Sequence, residues 1–558
     1  MSKEFFKSLA VKLKFSMSVC FLVVFLPFIS CDNNAKNLSA NAGKGAVKNA
    51  PNILFVISDD QSYPHASIYE ENWIKTPAFD RIAGEGVIFT NAFSASPGCS
   101  PSRAAILTGM NDWQLEQAGT HDSEFPIEYT VFPDILEQIG YKVGYTGKGW
   151  GPGNWAKSGR KRNPAGEAYN DKELTPTISG VSTTDYVGNF VEFLEERKED
   201  EPFYFWFGSH EPHRKFEKGS GIEAGKNPNE VTVPSFLPDT PEVRSDLLDY
   251  ALEIEYFDQQ LSGMLEELEK IGELDNTIIV VTSDNGMAFP YAKANANEYG
   301  IHVPLAIRWG DAVAGGRTIN DLVSLIDIAP TFLEAASKGG SSNLLDQHPM
   351  EGRSLMELFK KSSKNQNEAA RTAIFAARER HSSSRWNNLT YPQRTIRTQD
   401  YMYVRNFKPE RWPAGAPQKF NSDGTLGPMH GGYHDIDACP TFDFMIENRN
   451  DPDVRPYFEL AVDKRPSEEL FDIKNDPYCL VNLAEDPDFK NVLEEQRAAL
   501  GGYLMQTNDP RVTGNGDIYE AYIRYSSIRE FPKPNWLDKS SLNILPIVKG
   551  KRSNRKPD

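Results

Sequence analysis

The 558-residue sequence is short of cysteine, of basic charge and of long apolar runs. Its 60 Lys and Arg residues are outnumbered by 78 Asp and Glu residues, and the net charge of -18 argues against nucleic acid as a partner. The apolar run at residues 19–26 is too short for a comfortable membrane span. The chain has the length to bury a large core and to hold two to four domains.

The N-terminal residues predict an export signal that is not part of the fold. Several lysines precede the apolar run, and a small residue, Ser30, stands directly before Cys31, as in a bacterial lipoprotein cleavage site. We therefore expect residues 1–31 to be a lipoprotein signal peptide, with lipid attached to Cys31 and residues 32–50 as a flexible tether. This predicts an exported lipoprotein of the periplasm or outer membrane, which meets the membrane only through its N-terminal lipid anchor.

The five cysteines have different predicted roles. Cys20 and Cys31 belong to the signal, and Cys99 lies in a motif at the start of a helix pattern. Cys439 and Cys479 could form one disulfide in an oxidising compartment or stay free, and the sequence leaves both open.

Four apolar stretches predict strands buried on both faces of a parallel sheet, each followed by polar or ionisable residues. They are Asn52–Ser58 before Asp59 and Asp60, Val143–Gly147 before Lys148, Phe203–Gly208 before His210 and His213, and Thr277–Ser283 before Asp284 and Asn285. Helical patterns separate the strands, at residues 130–139, 185–197, 243–271 and 321–336, the last interrupted by Pro330. This alternation predicts an α/β fold, in which the polar groups converge at the carboxyl ends of the strands.

The pattern changes after residue 337. Turn-rich segments there precede short strands, such as Arg394–Thr398 and Tyr401–Asn406, and a helical pattern at residues 487–505. Beyond the tether, we predict a large α/β catalytic domain at 51–375, a C-terminal α+β subdomain at 376–505 and a C-terminal tail at 506–558.

The segment Ser96–Gly109 places a cysteine at the start of an apolar helix pattern. Pro101 is tolerated in a first helical turn, so we expect the helix to begin at Cys99 or Ser100. Cys99 then lies at the positive end of the helix, and Arg103 lies one turn later on the same face. A lone cysteine is more often a buried structural residue, but the Cys-x-Pro-x-Arg spacing favours an anion site.

The run Cys99-Ser100-Pro101-Ser102-Arg103, followed by Ala-Ala-Ile-Leu-Thr-Gly, resembles the signature of the formylglycine-dependent sulfatases. The resemblance covers most of residues 51–500. It implies an alkaline-phosphatase-like fold with a large mixed, mostly parallel sheet flanked by helices, plus a small C-terminal antiparallel subdomain. It also implies that a formylglycine-generating enzyme oxidises Cys99 to Cα-formylglycine (3-oxoalanine), whose hydrated aldehyde is the nucleophile. A sulfated gem-diol can release sulfate by re-forming its C=O bond, whereas a sulfated serine would be a stable ester.

A set of hard oxygen donors follows two of the predicted strands: Asp59, Asp60, Asp284 and Asn285. The set has no alternation of histidine and cysteine of the zinc type, and carboxylate and amide oxygens suit calcium or magnesium. Either pair alone is common as a plain turn after a strand. The resemblance implies that these four residues and the modified Cys99 bind one calcium ion.

The resemblance also assigns cations and histidines around the sulfate. Lys148 matches a lysine that contacts the sulfate and the formylglycine, and Arg103 matches an arginine that orients the formylglycine. Lys293 falls where the family has a residue that contacts the sulfate and protonates the leaving group. His210 matches a histidine that contacts the sulfate and the leaving oxygen. Its neighbour His213 is a candidate for substrate binding.

Trp150 departs from the family pattern. Many sulfatases carry a histidine at this place, two residues beyond Lys148, where it helps to draw the proton from the sulfated diol. The base for this elimination step is therefore left open.

The substrate class rests on further similarity. The segment around residues 203–310 is similar to the heparan N-sulfatase (sulfamidase) branch, which also holds bacterial enzymes acting on O-sulfated polysaccharides. We therefore predict an exo-acting bacterial sulfatase of oligosaccharides from sulfated polysaccharides, either algal, such as ulvan, or glycosaminoglycan. Candidate sugar contacts are Arg380, His381 and His434.

Three alternatives stay open on the sequence. The first is an N-sulfoglucosamine sulfohydrolase, and the second is a lipoprotein that binds glycans without turnover. The third is a phosphatase or phosphonate hydrolase of the same fold. Cys99 and Arg103 disfavour the phosphatases with serine or threonine nucleophiles, although formylglycine-bearing phosphonate hydrolases exist.

Overall fold

Residues 50–337, 350–360 and 371–537 are described by the structure, a computed structural model. The predicted signal peptide, Cys31 and the predicted tether, except for Ala50, lie outside these residues. Within the described ranges, no helix combines the length and the apolar character that crossing a membrane requires.

Two large sheets, one two-stranded sheet and their flanking helices organise the described residues. The strands are β1 (Asn52–Ser58), β2 (Val87–Phe89), β3 (Ala92–Phe93), β4 (Lys142–Gly147), β5 (Glu167–Ala168), β6 (Phe203–Gly208), β7 (Thr277–Ser283), β8 (Leu305–Arg308), β9 (Arg317–Ile319), β10 (Val323–Ser324), β11 (Ala373–Arg378), β12 (Gln393–Thr398), β13 (Tyr401–Asn406) and β14 (Glu468–Asp472). The α-helices are α1 (Pro77–Glu85), α2 (Cys99–Thr108), α3 (Phe132–Gln138), α4 (Tyr186–Glu195), α5 (Ser220–Glu223), α6 (Pro241–Lys270), α7 (Glu298–Ile301), α8 (Ile328–Ser337), α9 (Met356–Lys360), α10 (Pro440–Glu447), α11 (Arg455–Val462), α12 (Lys490–Gln506) and α13 (Pro510–Thr513).

The large sheet has eight strands in the order β5-β4-β6-β1-β7-β8-β2-β9. Its pairings are parallel except for β8, which runs antiparallel to both β7 and β2. The second sheet, β11-β12-β13-β14, is antiparallel throughout. The predicted mixed, mostly parallel sheet with a C-terminal antiparallel sheet is confirmed.

Strand β1 shows why the large sheet needs helices on both faces. All seven of its residues are buried, and successive side chains point to opposite faces. Phe55 packs in one cluster with residues of α2, α3 and α8, whereas Val56 packs in another with residues of α1, α4 and α6. Burial of one such side chain contributes about 1.5–3 kcal/mol.

The segment at 321–336 differs from the single helix predicted there. The chain first forms β10 and a short 3₁₀ turn at Leu325–Asp327, and helix α8 begins only at Ile328. Pro330 does not interrupt the helix. It lies in the first turn of α8, where its missing N–H has no intrahelical partner to lose.

Cys439 and Cys479 are free and buried. The Cys439 sulfur caps helix α10 by accepting from the Phe442 N–H at 3.4 Å, and the Cys479 sulfur lies 4.0 Å from the Met402 sulfur. The structure therefore answers the question that the sequence left open, because the two cysteines do not pair.

Residues 506–537 are the described part of the predicted tail. They pack against the part of the fold around the large sheet and against the part around the antiparallel sheet. Tyr519 is fully buried and its hydroxyl donates to the Trp113 carbonyl at 2.9 Å. Glu520 accepts from Arg411 at 2.7 Å, and the Ile523 carbonyl accepts from Ser123 at 2.6 Å. These contacts make the segment an integral part of the fold.

Candidate active site

Helix α2 begins at Cys99, in agreement with the prediction, and every residue of the helix is buried. Gly98 precedes it with extended backbone. Burial, and then the Asp59 carboxylate, raise the pKa of the Cys99 thiol well above its usual value. In the unmodified chain the thiol is therefore neutral, and it donates to Asp60 Oδ1 at 3.7 Å.

Four oxygen donors from neighbouring strands meet beside Cys99, and we name them the acidic cluster: Asp59, Asp60, Asp284 and Asn285. The first two follow β1 and the others follow β7, and these strands pair in parallel register, so both pairs emerge at the same edge of the sheet. The three carboxylates each place one oxygen within 4.8 Å of the others. Asn285 Nδ2 donates to Asp60 Oδ1 at 2.8 Å.

The acidic cluster fits a divalent metal ion. Asp59 Oδ1 and Asn285 Oδ1 are buried and accept no hydrogen bond from any residue that the structure describes. Burial raises the pKa of Asp284 to about 6, in spite of the Arg103 guanidinium beside it. A cation would offset the charge of these crowded carboxylates and would occupy the free lone pairs. Since all the donors are oxygens, the set suits calcium or magnesium.

Three cations surround the acidic cluster. Arg103 is fully buried, and its Nε donates to a carboxylate of the cluster at 2.7 Å. Lys148 Nζ lies 2.5 Å from Asp59 Oδ2, and Lys293 Nζ lies 2.5 Å from Asp60 Oδ2. Burial alone would lower the pKa of each lysine, but the neighbouring carboxylates raise it, so both stay protonated. Fixed cations of this kind stabilise an anionic substrate group.

Two glycines place Lys148 at the site. Gly147 has a φ of 71°, and a Cβ there would come within 2.1 Å of the Gly208 carbonyl oxygen. A Cβ on Gly208 would come within 1.9 Å of the Lys148 carbonyl oxygen. The ends of β4 and β6 can therefore approach this closely only with glycine at both positions.

Two histidines follow β6. His210 is exposed, and its backbone N–H donates to the Tyr186 hydroxyl at 3.1 Å. His213 Nδ1 lies 2.6 Å from the Arg214 carbonyl, which can only accept, so Nδ1 carries a proton, and in the neutral ring Nε2 is the acceptor. Nε2 lies 3.8 Å from Asp60 Oδ2, and the His213 ring belongs to a group of ligand atoms with Asp59 and Cys99.

Comparison with known proteins identifies the family. A family model described as Sulfatase matches residues 51–338, more than half of the chain. The chain belongs to the sulfatase family. A second model, described as N-sulphoglucosamine sulphohydrolase, C-terminal, matches residues 290–413 of this sulfatase. The enzyme is a sulfuric ester hydrolase, and its family generally uses a formylglycine and a metal ion.

Relatives of this sulfatase align over most of its length. It is 27% identical over 513 residues to human N-sulphoglucosamine sulphohydrolase, covering 84% of this chain and 93% of the relative. It is 25% identical over 542 residues to an ulvan-active sulfatase of Formosa agariphila, covering 90% of this chain and 83% of the relative. The predicted similarity to the sulfamidase-like branch is confirmed.

Solved structures share the fold of this sulfatase. One, in complex with its substrate D-glucosamine-2-N,6-O-disulfate, has a TM-score of 0.58 and 20% identity, and the match covers 82% of this chain and 98% of that chain. A sulfatase structure from Bacteroides fragilis has a TM-score of 0.57 and 19% identity, covering 84% of this chain and 98% of that one. Together with the two sheets, these likenesses confirm the predicted sulfatase fold.

Trp150 has a structural role in this sulfatase. The indole is buried, and its N–H donates to the Ser100 carbonyl at 2.9 Å, in the first turn of α2. The Trp150 backbone N–H donates to Asn163 Oδ1 at 2.9 Å. An indole nitrogen donates and does not accept, so Trp150 cannot receive a proton in place of histidine.

Two residues near the site were not predicted from the sequence. Asp437 Oδ2 lies 3.3 Å from Lys293 Nζ. The His121 ring lies 4.6 Å from the His381 ring, and both rings approach Gly98, whose added Cβ would meet His381 Nδ1 at 3.2 Å. Within the described part of the chain, neither ring nitrogen of His121 has a hydrogen-bond partner. Asp437 and His121 lie in irregular segments, so no strand end pointed to them.

The four residues predicted to bind substrate, His213 and the three sugar-contact candidates, do not all lie at the site. His213 and His381 lie at the site. Arg380 does not, because it is 1% exposed and its guanidinium donates to backbone carbonyls of the tail. His434 lies beside Phe531 of the tail, with 6.4 Å between the ring centres.

Proposed function

We propose that this sulfatase removes sulfate groups from oligosaccharides of sulfated polysaccharides, with Cys99 converted to formylglycine and one calcium ion in the acidic cluster. The observation that carries the proposal is the position of Cys99, at the first residue of α2 and in contact with Asp60. Three cations lie around that contact and complement the negative charge of a sulfate group: Arg103, Lys148 and Lys293.

The chain's own residues support sulfate ester hydrolysis in separate ways. When present, the formylglycine supplies a hydroxyl nucleophile, and the calcium ion supplies charge that offsets the sulfate oxygens. Lys148 and Lys293 hold two further positive charges beside residue 99. His210 is exposed at the end of β6, where it can reach the leaving oxygen. Arg103 is locked in place by its ion pair and orients residue 99.

We assign His213 as the base for the elimination step, because Trp150 cannot accept a proton. The Arg214 carbonyl fixes the proton on Nδ1, so Nε2 presents a lone pair toward Asp60 and residue 99. A base must lie within hydrogen-bond reach of its proton, directly or through one water, and this geometry meets that requirement.

The relatives support two sugar classes. The ulvan-active sulfatase favours an algal polysaccharide, whereas the N-sulphoglucosamine sulphohydrolase favours N-sulfated glucosamine. We favour O-sulfated polysaccharides, because Trp150 replaces the histidine of the family pattern. N-Sulfoglucosamine hydrolysis is the second candidate, supported by the C-terminal family match.

A panel of defined sulfated oligosaccharides tests this function. It contains ulvan fragments, O-sulfated glycosaminoglycan fragments and N-sulfated glucosamine, and the readouts are released sulfate and the mass of the desulfated sugar. An aryl phosphate and an aryl phosphonate test the phosphatase and phosphonate hydrolase alternatives. Sulfate release from an O-sulfated fragment supports the proposal. Binding without release from any fragment, by matured and calcium-loaded enzyme, contradicts it and favours a glycan-binding lipoprotein.

We also propose the maturation and export predicted from the sequence. Mass spectrometry of the tryptic peptide that ends at Arg103 shows whether residue 99 is formylglycine in a host with the maturation enzyme. Lipid labelling of the full chain, with Cys31→Ser as control, shows whether Cys31 carries the anchor. An unmodified thiol in fully active enzyme contradicts the first proposal, and equal labelling of both chains contradicts the second.

A further inference from the structure

A cavity of about 350 Å³ lies in the C-terminal part of the fold and shares no lining residue with the catalytic site. Four stretches of the chain line it: residues 385–389, residues 411–418, Lys464 and residues 532–536. Its ionisable lining residues are all basic, although the whole chain carries a net charge of -18. They are Arg385, Arg411, Lys464 and Lys533.

Two buried arginines of the cavity have unused donors. Arg385 is 4% exposed; its Nη2 donates to Asp435 at 2.7 Å, whereas its Nη1 has no hydrogen-bond partner among the residues that the structure describes. Arg411 is also 4% exposed; its Nη1 donates to Glu520 at 2.7 Å, whereas its Nε makes no hydrogen bond within the described residues and lies 4.0 Å from a Glu410 carboxylate oxygen. Because these nitrogens are inaccessible to solvent, the two arginines add positive charge to the cavity wall, and the acceptor oxygens of a ligand would meet the exposed lysines of the lining.

Three tryptophans give the cavity flat apolar walls. Trp386 and Trp412 are half-buried, and Trp536 is 39% exposed. Lys464 Nζ lies 5.2 Å from the centre of the Trp412 ring. Indole faces pack against the apolar C–H face of a sugar ring, while the cations beside them bind its anionic substituents.

We propose that this cavity is a second glycan-binding site, which holds an anionic sugar unit of a sulfated oligosaccharide away from the catalytic site. The choice of ligand rests on the proposed function, because a polymer-degrading sulfatase meets long anionic chains. The volume suits a mono- or disaccharide, and the basic lining complements sulfate or carboxylate groups. One buried residue, Asp435, contacts residues at both sites. It accepts from Arg385 in the cavity lining and from the backbone N–H of Ser382, next to His381 at the catalytic site.

Calorimetry on the full-length Cys99→Ala variant tests the second site without turnover. The probes are ulvan-derived and heparin-derived sulfated tetrasaccharides and their chemically desulfated forms. We expect two binding events for at least one sulfated probe. Adding Lys464→Gln and Trp536→Ala should weaken one event about tenfold or more and leave the other unchanged. Both residues are exposed at the cavity, so the fold should survive, which thermal unfolding checks.

The matched control is Lys490→Gln with Met505→Ala, an exposed cation and an exposed apolar residue on α12. It should leave both binding events unchanged. In the active enzyme, the cavity variant should raise KM for polymer and keep kcat for a small sulfated sugar.

The outcomes separate the two proposals. A single binding event that the cavity variant does not alter overturns the second site, even when the active enzyme releases sulfate. Equal binding of sulfated and desulfated probes also overturns it, since the basic lining then has no role. Two binding events with no sulfate release by matured enzyme keep the second site and overturn the proposed function.

Discussion

Cys99 is fully buried in helix α2, so its replacement tests the nucleophile without opening the surface. We expect Cys99→Ala to abolish sulfate release, because alanine cannot be converted to formylglycine. Loss of one buried sulfur should cost only about 1 kcal/mol of stability. Ion chromatography of released sulfate and thermal unfolding measure the two effects. Cys479→Ala, a buried free cysteine in the C-terminal part of the fold, should keep its activity. Sulfate release by Cys99→Ala would refute the assignment.

His213 offers a second test at the level of single residues. Because Nδ1 donates to the Arg214 carbonyl, Nε2 is the acceptor that faces Asp60. We expect His213→Gln to lower kcat about 10²–10⁴-fold, the usual contribution of a proton-transfer residue. His434→Gln, at the ring that lies beside Phe531, should leave kcat unchanged. If instead KM rises and kcat stays the same, His213 binds the sugar and does not move the proton.

Single residues could be predicted from the sequence where a strand end fixed their place. Asp59 and Asp284 follow buried strands that pair in register, so their meeting follows from the sheet. Asp437 has no such signal, because it lies in an irregular segment far along the chain from its partner Lys293. Arg380 shows the opposite error. An arginine next to a histidine suggested a sugar contact, but the backbone turned the arginine into the interior.

At the level of elements, β12 is tied to helix α13 by a buried ion pair. Arg394 on β12 donates to Asp509 at 2.5 Å and to Glu379 at 2.9 Å, and all three side chains are buried. Asp509→Asn removes one charge and leaves Arg394 partly uncompensated, so we expect a loss of about 3–5 kcal/mol in the free energy of unfolding. Urea denaturation measures this loss.

The control for Asp509→Asn is Asp486→Asn. Both aspartates cap a short helical turn, Asp509 by accepting from the Arg511 N–H and Asp486 by accepting from the Asp488 N–H. Asparagine caps a helix about as well as aspartate, so the control should change the free energy of unfolding by less than about 0.5 kcal/mol. Equal effects of the two substitutions would show that the ion pair of Arg394 with Asp509 does not stabilise this region.

Elements with a strong apolar period were predictable from the sequence, and weakly periodic ones were not. Strand β13 matches its prediction residue for residue, and the long helix α6 starts and ends within two residues of its predicted bounds. The turn at Leu325–Asp327 was read as helix, because apolar residues continue through it. The segment 506–537 has little regular structure, and its place in the fold comes from side-chain contacts that no local pattern encodes.

At the level of the whole molecule, an acidic chain concentrates positive charge where it meets its substrate. The catalytic site gathers Arg103, Lys148 and Lys293 against carboxylates that neutralise them in the absence of substrate. The second cavity has basic groups in its lining and keeps its acidic partners, Asp435 and Glu520, buried behind them. The basic groups gathered at the two sites thus offset locally the repulsion between the acidic chain and a polyanion.

Removal of the metal ion tests the same charge balance through the stability of the whole fold. The acidic cluster gathers three buried carboxylates within 4.8 Å, so a bound cation stabilises the native state alone. Calcium at 100 times its Kd should add about 2.7 kcal/mol, which raises the melting temperature of a chain this long by about 3 °C. We expect chelator to abolish sulfate release and to lower the melting temperature, and added calcium to restore both. In Asp284→Asn, calcium should no longer shift the melting temperature. If chelator changes neither activity nor melting temperature in the unmutated enzyme, the acidic cluster does not hold a metal ion.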